Sequence, residues 1–93
     1  MLDELFQIIE DRKKEQPSGS YTAQLMAAGE NKILRKISEE TLEVVFAAKE
    51  EGDQRLVEES ADLIYHLWVL LSYKGIKLDQ VKAELVSRHK RAQ

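Results

Sequence analysis

Cysteine is absent from the 93 residues. That absence excludes disulfides, thiolate zinc sites and cysteine nucleophiles, and it fits a reducing cytoplasm. Proline occurs once, as Pro17, inside the one clear loop, Gln16-Pro17-Ser18-Gly19-Ser20. Runs in which β-branched residues alternate with polar ones are scarce, so strands are not expected. No uncharged apolar stretch reaches the roughly 20 residues of a membrane span. The longest, Leu63 to Ser72, covers about half that length. Met1 to Glu10 carries acids before any apolar run, unlike a signal peptide. Neither sign of charge dominates: acids and bases are interspersed and the net charge is −3. Electrostatics alone therefore gives no reason to expect a nucleic-acid partner. Internal repeats and low-complexity segments are missing as well. The expectation is a cytoplasmic protein that engages neither membrane nor nucleic acid.

What is present reads as an all-α protein. Apolar residues make up 43% and charged residues 33%, the balance of a soluble globular chain rather than a disordered one. The length suits one domain over residues 1–93. Leu2, Leu5, Phe6 and Ile9 recur at helical spacing and predict a helix from about Leu2 to Lys14. A short helix is expected from Thr22 to Ala28, capped near Ser20 or Tyr21 and stopped by Gly29. A long one follows from Glu30 to Glu51, with Ile33, Ile37, Val44 and Ala48 on one face. Gly52 closes it and Asp53 is placed to cap the next helix, Gln54 to Tyr73. That helix is apolar almost all round: Leu56, Val57, Leu63, Ile64, Leu67, Trp68, Leu70 and Leu71. Such a helix must be buried on most sides, and so small a chain cannot easily surround it. A dimer is the expectation. Gly75 ends this helix, and a last one, Leu78 to Arg88, carries Leu78, Val81 and Leu85 on one stripe. Four to five helices in a dimeric bundle result.

Two acidic clusters interrupt the most apolar helices: Glu39-Glu40-Thr41-Leu42-Glu43 and Glu58-Glu59-Ser60-Ala61-Asp62. Residues three apart share a helix face, which pairs Glu40 with Glu43 and Glu59 with Asp62. At about 100° per residue, Glu40 lies roughly 20° from Ile33. Glu59 projects among Leu56, Leu63 and Leu70, all within roughly 60° of it. Both helices thus aim carboxylates at packed surface, where an unpaired charge is costly and like charges repel. A hard divalent cation among the oxygens resolves the conflict. Without cysteine and with two histidines, the site favours Mg²⁺, with Mn²⁺ as a substitute, over zinc. Bound Mg²⁺ keeps several waters and shares substrate phosphates with a few carboxylates, which suits attack of water on a polyphosphate. The plainer alternative is a solvated acidic face balanced by lysines.

Glu39-Glu40-x-x-Glu43 followed by Glu59-x-x-Asp62 resembles the signature of the all-α, MazG-like nucleotide pyrophosphohydrolases. Further segments look like the phosphoribosyl-ATP pyrophosphatase family within that superfamily. They are Gly19-Ser20-Tyr21-Thr22, then Leu25, then Lys36-Ile37-Ser38-Glu39-Glu40, then Asp62-Leu63-Ile64-Tyr65-His66-Leu67. The tail Asp79-x-Val81-x-x-Glu84-Leu85-x-x-Arg88 fits too, so the likeness covers nearly the whole chain. The acidic signature is specific for the superfamily; the Gly-Ser-Tyr-Thr segment and the Tyr-His pair narrow it.

The resemblance implies hydrolysis of phosphoribosyl-ATP to phosphoribosyl-AMP and pyrophosphate in histidine biosynthesis. It also implies Mg²⁺ dependence and a homodimer or higher homo-oligomer; the family is often fused to the next enzyme of the pathway, and at this length the stand-alone form is expected. It places Glu40, Glu43, Glu59 and Asp62 as metal ligands. Glu39 matches the first acid of the signature, with a role at a second ion or at water, although its direction is away from the apolar arc. Lys36 can meet a phosphate, or pair with Glu40 one turn on. Ser20, Tyr21 and Thr22 can hold phosphate or ribose, or simply cap a helix. His66 can touch substrate, or sit buried and orient Asp62. Tyr65 and Trp68 read as core or dimer contacts, and Arg88, His89, Lys90 and Arg91 as a basic, solvated tail. Two other functions stay open on this reading: a housecleaning pyrophosphohydrolase of nucleoside triphosphates, and a non-catalytic helical dimerisation module.

Overall fold

Leu5, Phe6 and Ile9 lie on one side of the first helix, and burying that side is what places it. The computed structural model describes residues 2–92, and side chains from 2 to 89. Helix α1 (Leu2–Glu15) opens with Asp3 and Glu4 and closes with Arg12, Lys13 and Lys14, the order its macrodipole favours. After the proline loop, Ser20 caps α2 (Tyr21–Ala28) by accepting a hydrogen bond from the Ala23 amide at 3.2 Å. Gly29 ends α2 and leads straight into α3 (Glu30–Phe46), which continues as a π-helical turn, Ala47–Glu51. Then come α4 (Asp53–Tyr73) and α5 (Leu78–Ala92). The all-α expectation holds: among the described residues there is no strand. No helix among them is long and apolar enough to cross a membrane.

Asp53 does not cap α4. Gly52 holds that position with no side-chain bond, and Asp53 is the first helical residue, where its charge still meets the positive end of the dipole. Gly52 has φ 90° and ψ 170°, backbone that residues with a Cβ rarely adopt. An added Cβ there would meet nothing within 4 Å, so a substitution is opposed by the backbone alone. Gly52→Ala should lower unfolding free energy by about 1–3 kcal/mol, read by urea denaturation. A change within a few tenths would show that the turn relaxes freely.

Helices α3 and α4 form the principal pair, with α1 lying on α4 and α2 bridging α1, α3 and α4. Ile9, Leu25, Met26, Ile33 and Val69 form the core, flanked by Leu5, Ile37, Tyr65, Trp68, Leu70 and Tyr73. The expected face of α3 is kept at Ile33, Ile37 and Val44, but in the π-helical turn that continues it Ala47 is buried and Ala48 exposed. At about 100° per residue, Ala47 lies roughly 40° from Ile33 on the side of Glu40, and Ala48 roughly 60° away on the other. The deeper side of α3 is therefore the side that carries Glu40.

Helix α4 also turns differently from the expectation. Its buried residues are Glu59, His66, Val69 and Ser72, a stripe at helical spacing that is mostly polar. The leucines Leu56, Leu63 and Leu70 flank it half-buried. Val57 is 63% exposed, as are Leu42 (58%), Val45 (55%) and Phe46 (56%) on α3. Lys13 at the end of α1 donates to the Ser72 carbonyl at 2.5 Å, near the C-terminus of α4 where a cation is favoured. Helix α5 packs weakly, held by buried Leu78 and by the ion pair Lys82–Asp3.

Candidate metal centre

Glu40 comes from the deep side of α3, Glu59 from the buried stripe of α4, and Asp62 from an exposed position one turn beyond Glu59. Each offers a carboxylate oxygen, and these oxygens lie within 4.8 Å of one another. Glu40 is 9% exposed and Glu59 5%, while Asp62 faces solvent at the rim. Burial, first, pushes the Glu59 carboxyl above its usual range. The Arg55 charge opposes this, and Glu43, Asp62 and Glu40 add to it by repulsion. Three hard oxygen donors, two of them withdrawn from water, make a donor set able to hold a metal ion.

Two cations stand against these acids. Lys36 Nζ is 3.3 Å from Glu40 Oε1 and 3.7 Å from Glu39. The Lys36 ammonium is opposed by its own desolvation, yet the hydrogen bond to Glu40 and the nearby negative groups raise its pKa overall. Arg55 donates to Glu59 at 2.5 Å and to Glu58 at the same distance. Arg55 stands four residues before Glu59 just as Lys36 stands four before Glu40, a spacing that by itself marks an ordinary surface pair.

A second layer lies behind the carboxylates. The Asp62 carbonyl takes a hydrogen bond from His66 Nδ1 at 2.7 Å. That fixes the tautomer in which Nε2 accepts, and the Tyr21 hydroxyl donates to it at 2.9 Å. Desolvation, first, raises the Tyr21 phenol above its usual range, so it keeps the proton it donates. Thr22 pairs with the Tyr65 hydroxyl, and the Tyr21 and Tyr65 rings stack with centroids 6.3 Å apart. His66 therefore bonds the backbone of Asp62 rather than its carboxylate, and both ring nitrogens are engaged inside the chain.

The remaining expected residues are less converged. Glu43 and Glu39 are exposed in the single chain, and the three-residue group does not include them. Ser20 spends its hydroxyl on the α2 cap. Trp68 is half-buried against the core and donates to the Leu2 carbonyl at 3.4 Å. Arg88 pairs with Glu84 at 3.0 Å. The side chains of Lys90 and Arg91, the end of the basic tail, lie outside the described residues.

The sequence profile of the family described as Phosphoribosyl-ATP pyrophosphohydrolase matches residues 2–89. The chain belongs to that family. Its similarity to curated proteins named Phosphoribosyl-ATP pyrophosphatase is high along the whole length. The protein from Haloarcula marismortui is 50% identical over 90 residues, covering 95% of this chain and 92% of the relative. That from Pelotomaculum thermopropionicum is 50% identical over 91 residues, 98% and 93%. That from Metallosphaera sedula is 52% identical over 90 residues, 97% of each. As a member of a pyrophosphohydrolase family the chain is an enzyme, a hydrolase, of the histidine biosynthesis pathway. For a pyrophosphohydrolase, an acidic group able to hold a metal ion has a direct use, because polyphosphate and carboxylates otherwise repel.

Proposed function

We propose that the chain hydrolyses phosphoribosyl-ATP between its α- and β-phosphates, releasing phosphoribosyl-AMP and pyrophosphate, in the cytoplasm and with Mg²⁺ or Mn²⁺. The observation that supports metal-assisted cleavage is the convergence of Glu40, Glu59 and Asp62 within 4.8 Å from two different helices, and the substrate follows from the likeness to proteins named Phosphoribosyl-ATP pyrophosphatase. Those same acids form the signature that resembles the superfamily. A bound divalent cation would neutralise phosphate charge and make a water more acidic.

The chain's own residues do the rest. Glu40, Glu59 and Asp62 would hold the cation, and Glu43, one turn beyond Glu40, would complete the set. Lys36, between Glu39 and Glu40, is the ammonium placed to meet a phosphate oxygen. Tyr21, half exposed, presents a hydroxyl whose direction His66 fixes and which can still accept from a ribose hydroxyl, while Thr22 is buried and its hydroxyl pairs with that of Tyr65. Ser20 sets the start of α2 and so the placement of both. His66 acts here by positioning Tyr21.

The working unit in this proposal is a homodimer. In a single chain the apolar edges of α3 and α4 stay open, with Phe46 56% and Val57 63% exposed. The radius of gyration is 14.7 Å, above the about 12 Å of a closed domain of this length. Covering those edges removes the liability. Light scattering on the purified chain should give at least twice the chain mass. A stable, active monomer would contradict the proposal.

The test of function is product analysis with phosphoribosyl-ATP and Mg²⁺. Phosphoribosyl-AMP and pyrophosphate are expected in equal amounts. Release of orthophosphate instead would contradict the assignment of the cleaved bond.

A further inference from the structure

Among the described residues, Arg55 is the one cation bonded directly to Glu59, the most buried carboxylate of the centre. Its guanidinium reaches Glu59 Oε1 and Glu58 Oε1, each at 2.5 Å. The two partners differ sharply. The Glu59 side chain is 7% exposed and belongs to the acidic group, whereas the Glu58 side chain is 46% exposed and lies outside it. Glu58 is itself steadied by Gln54, whose amide donates to Oε2 at 3.1 Å. Arg55, 48% exposed, therefore stands at the rim with one partner inside the centre and one outside.

A guanidinium and a divalent cation make conflicting demands on Glu59. Both draw on the same carboxylate, and as like charges they repel. Glu58 offers Arg55 a tether that survives the loss of Glu59. Its planar fork also matches phosphate oxygens better than a lysine does. We propose that Arg55 is a displaceable counter-ion: it neutralises Glu59 in the cation-free centre and moves to the polyphosphate of the substrate once a cation takes its place. This inference rests on the reading of Glu40, Glu59 and Asp62 as a cation site. It assigns Arg55 two opposite effects, against cation binding and in favour of phosphate binding.

The test uses calorimetry on the full chain, first with Mg²⁺ alone and then with inorganic pyrophosphate added to the Mg²⁺-loaded protein. Arg55→Gln should bind Mg²⁺ about two- to five-fold more tightly, the strength of a part-exposed ion pair removed from the competition. The same variant should bind pyrophosphate about ten-fold more weakly, having lost a charge-assisted contact. Arg55→Lys should return Mg²⁺ affinity toward wild type but recover only part of the pyrophosphate affinity, since it restores charge without the fork. A wild-type chain that binds no divalent cation overturns the metal reading and this inference together. A wild-type chain that binds Mg²⁺, with Arg55→Gln binding it no more tightly or binding pyrophosphate equally well, overturns this inference alone.

Discussion

Glu40→Gln and Glu59→Gln are each expected to lower turnover at least about a hundredfold while the chain stays folded, the loss typical of removing one electrostatic element of a transition state. The amide keeps the shape and removes one negative charge from a group whose oxygens lie within 4.8 Å of one another. A cation held by a few carboxylates loses its place, not a quarter of its strength, when one is neutralised. Glu43→Gln and Asp62→Asn should behave alike if all four act as one unit. The double variant Glu40→Gln with Glu59→Gln should then cost far less than the product of the single losses. Stability should move little or rise, because burial and neighbouring acids already disfavour the ionised Glu59. Glu50→Gln, exposed on the π-helical turn and outside both clusters, is the control and should be close to neutral. Near-normal activity in folded Glu40→Gln and Glu59→Gln would mean that the acidic clusters are structural.

Removing divalent cations is the second large effect. Excess EDTA should abolish pyrophosphate release, and added Mg²⁺ or Mn²⁺ should restore it. Ca²⁺ should restore little, because it takes more ligands at looser geometry than a reacting phosphate tolerates. The chain has its own counter-charges, Lys36 on Glu40 and Arg55 on Glu59, so it should remain folded after chelation. Loss of activity with retained helical circular dichroism is the expected pair of results. Full activity in EDTA would remove the cation from the mechanism.

Helix periodicity reached far into this protein, and it stopped where a helix meets something other than its own sequence. The stripe Leu5, Phe6 and Ile9, the cap at Ser20 and the stop at Gly29 are local signals, and the helices form where those signals put them. The inward aim of Glu40 was legible because seven residues return a helix nearly to the same direction as Ile33. The orientation of α4 was not. It carries apolar residues on most of its sides, so periodicity pointed inward along Leu56, Leu63 and Leu70, with Glu59 among them. The chain instead buries Glu59, His66, Val69 and Ser72 and leaves the leucines at the edge. A helix apolar on most sides does not say which side its own chain takes. The π-helical turn at Ala47–Glu51 has no sequence pattern of its own. Arg55 was not legible, because an Arg four residues before a Glu reads as ordinary surface pairing. Only the burial of Glu59 makes that pair unusual. His66 was legible as buried, but its bond to a backbone carbonyl depends on rotamer and neighbours, which spacing does not carry.

The central claim is that this acidic centre serves one substrate rather than nucleotides at large. The most direct measurement compares kcat/KM for phosphoribosyl-ATP with that for ATP and the other common nucleoside triphosphates, using the same purified chain with Mg²⁺. The account predicts rapid release of pyrophosphate and phosphoribosyl-AMP from phosphoribosyl-ATP, with ordinary triphosphates slower by orders of magnitude. Equal or faster hydrolysis of ordinary triphosphates would contradict it.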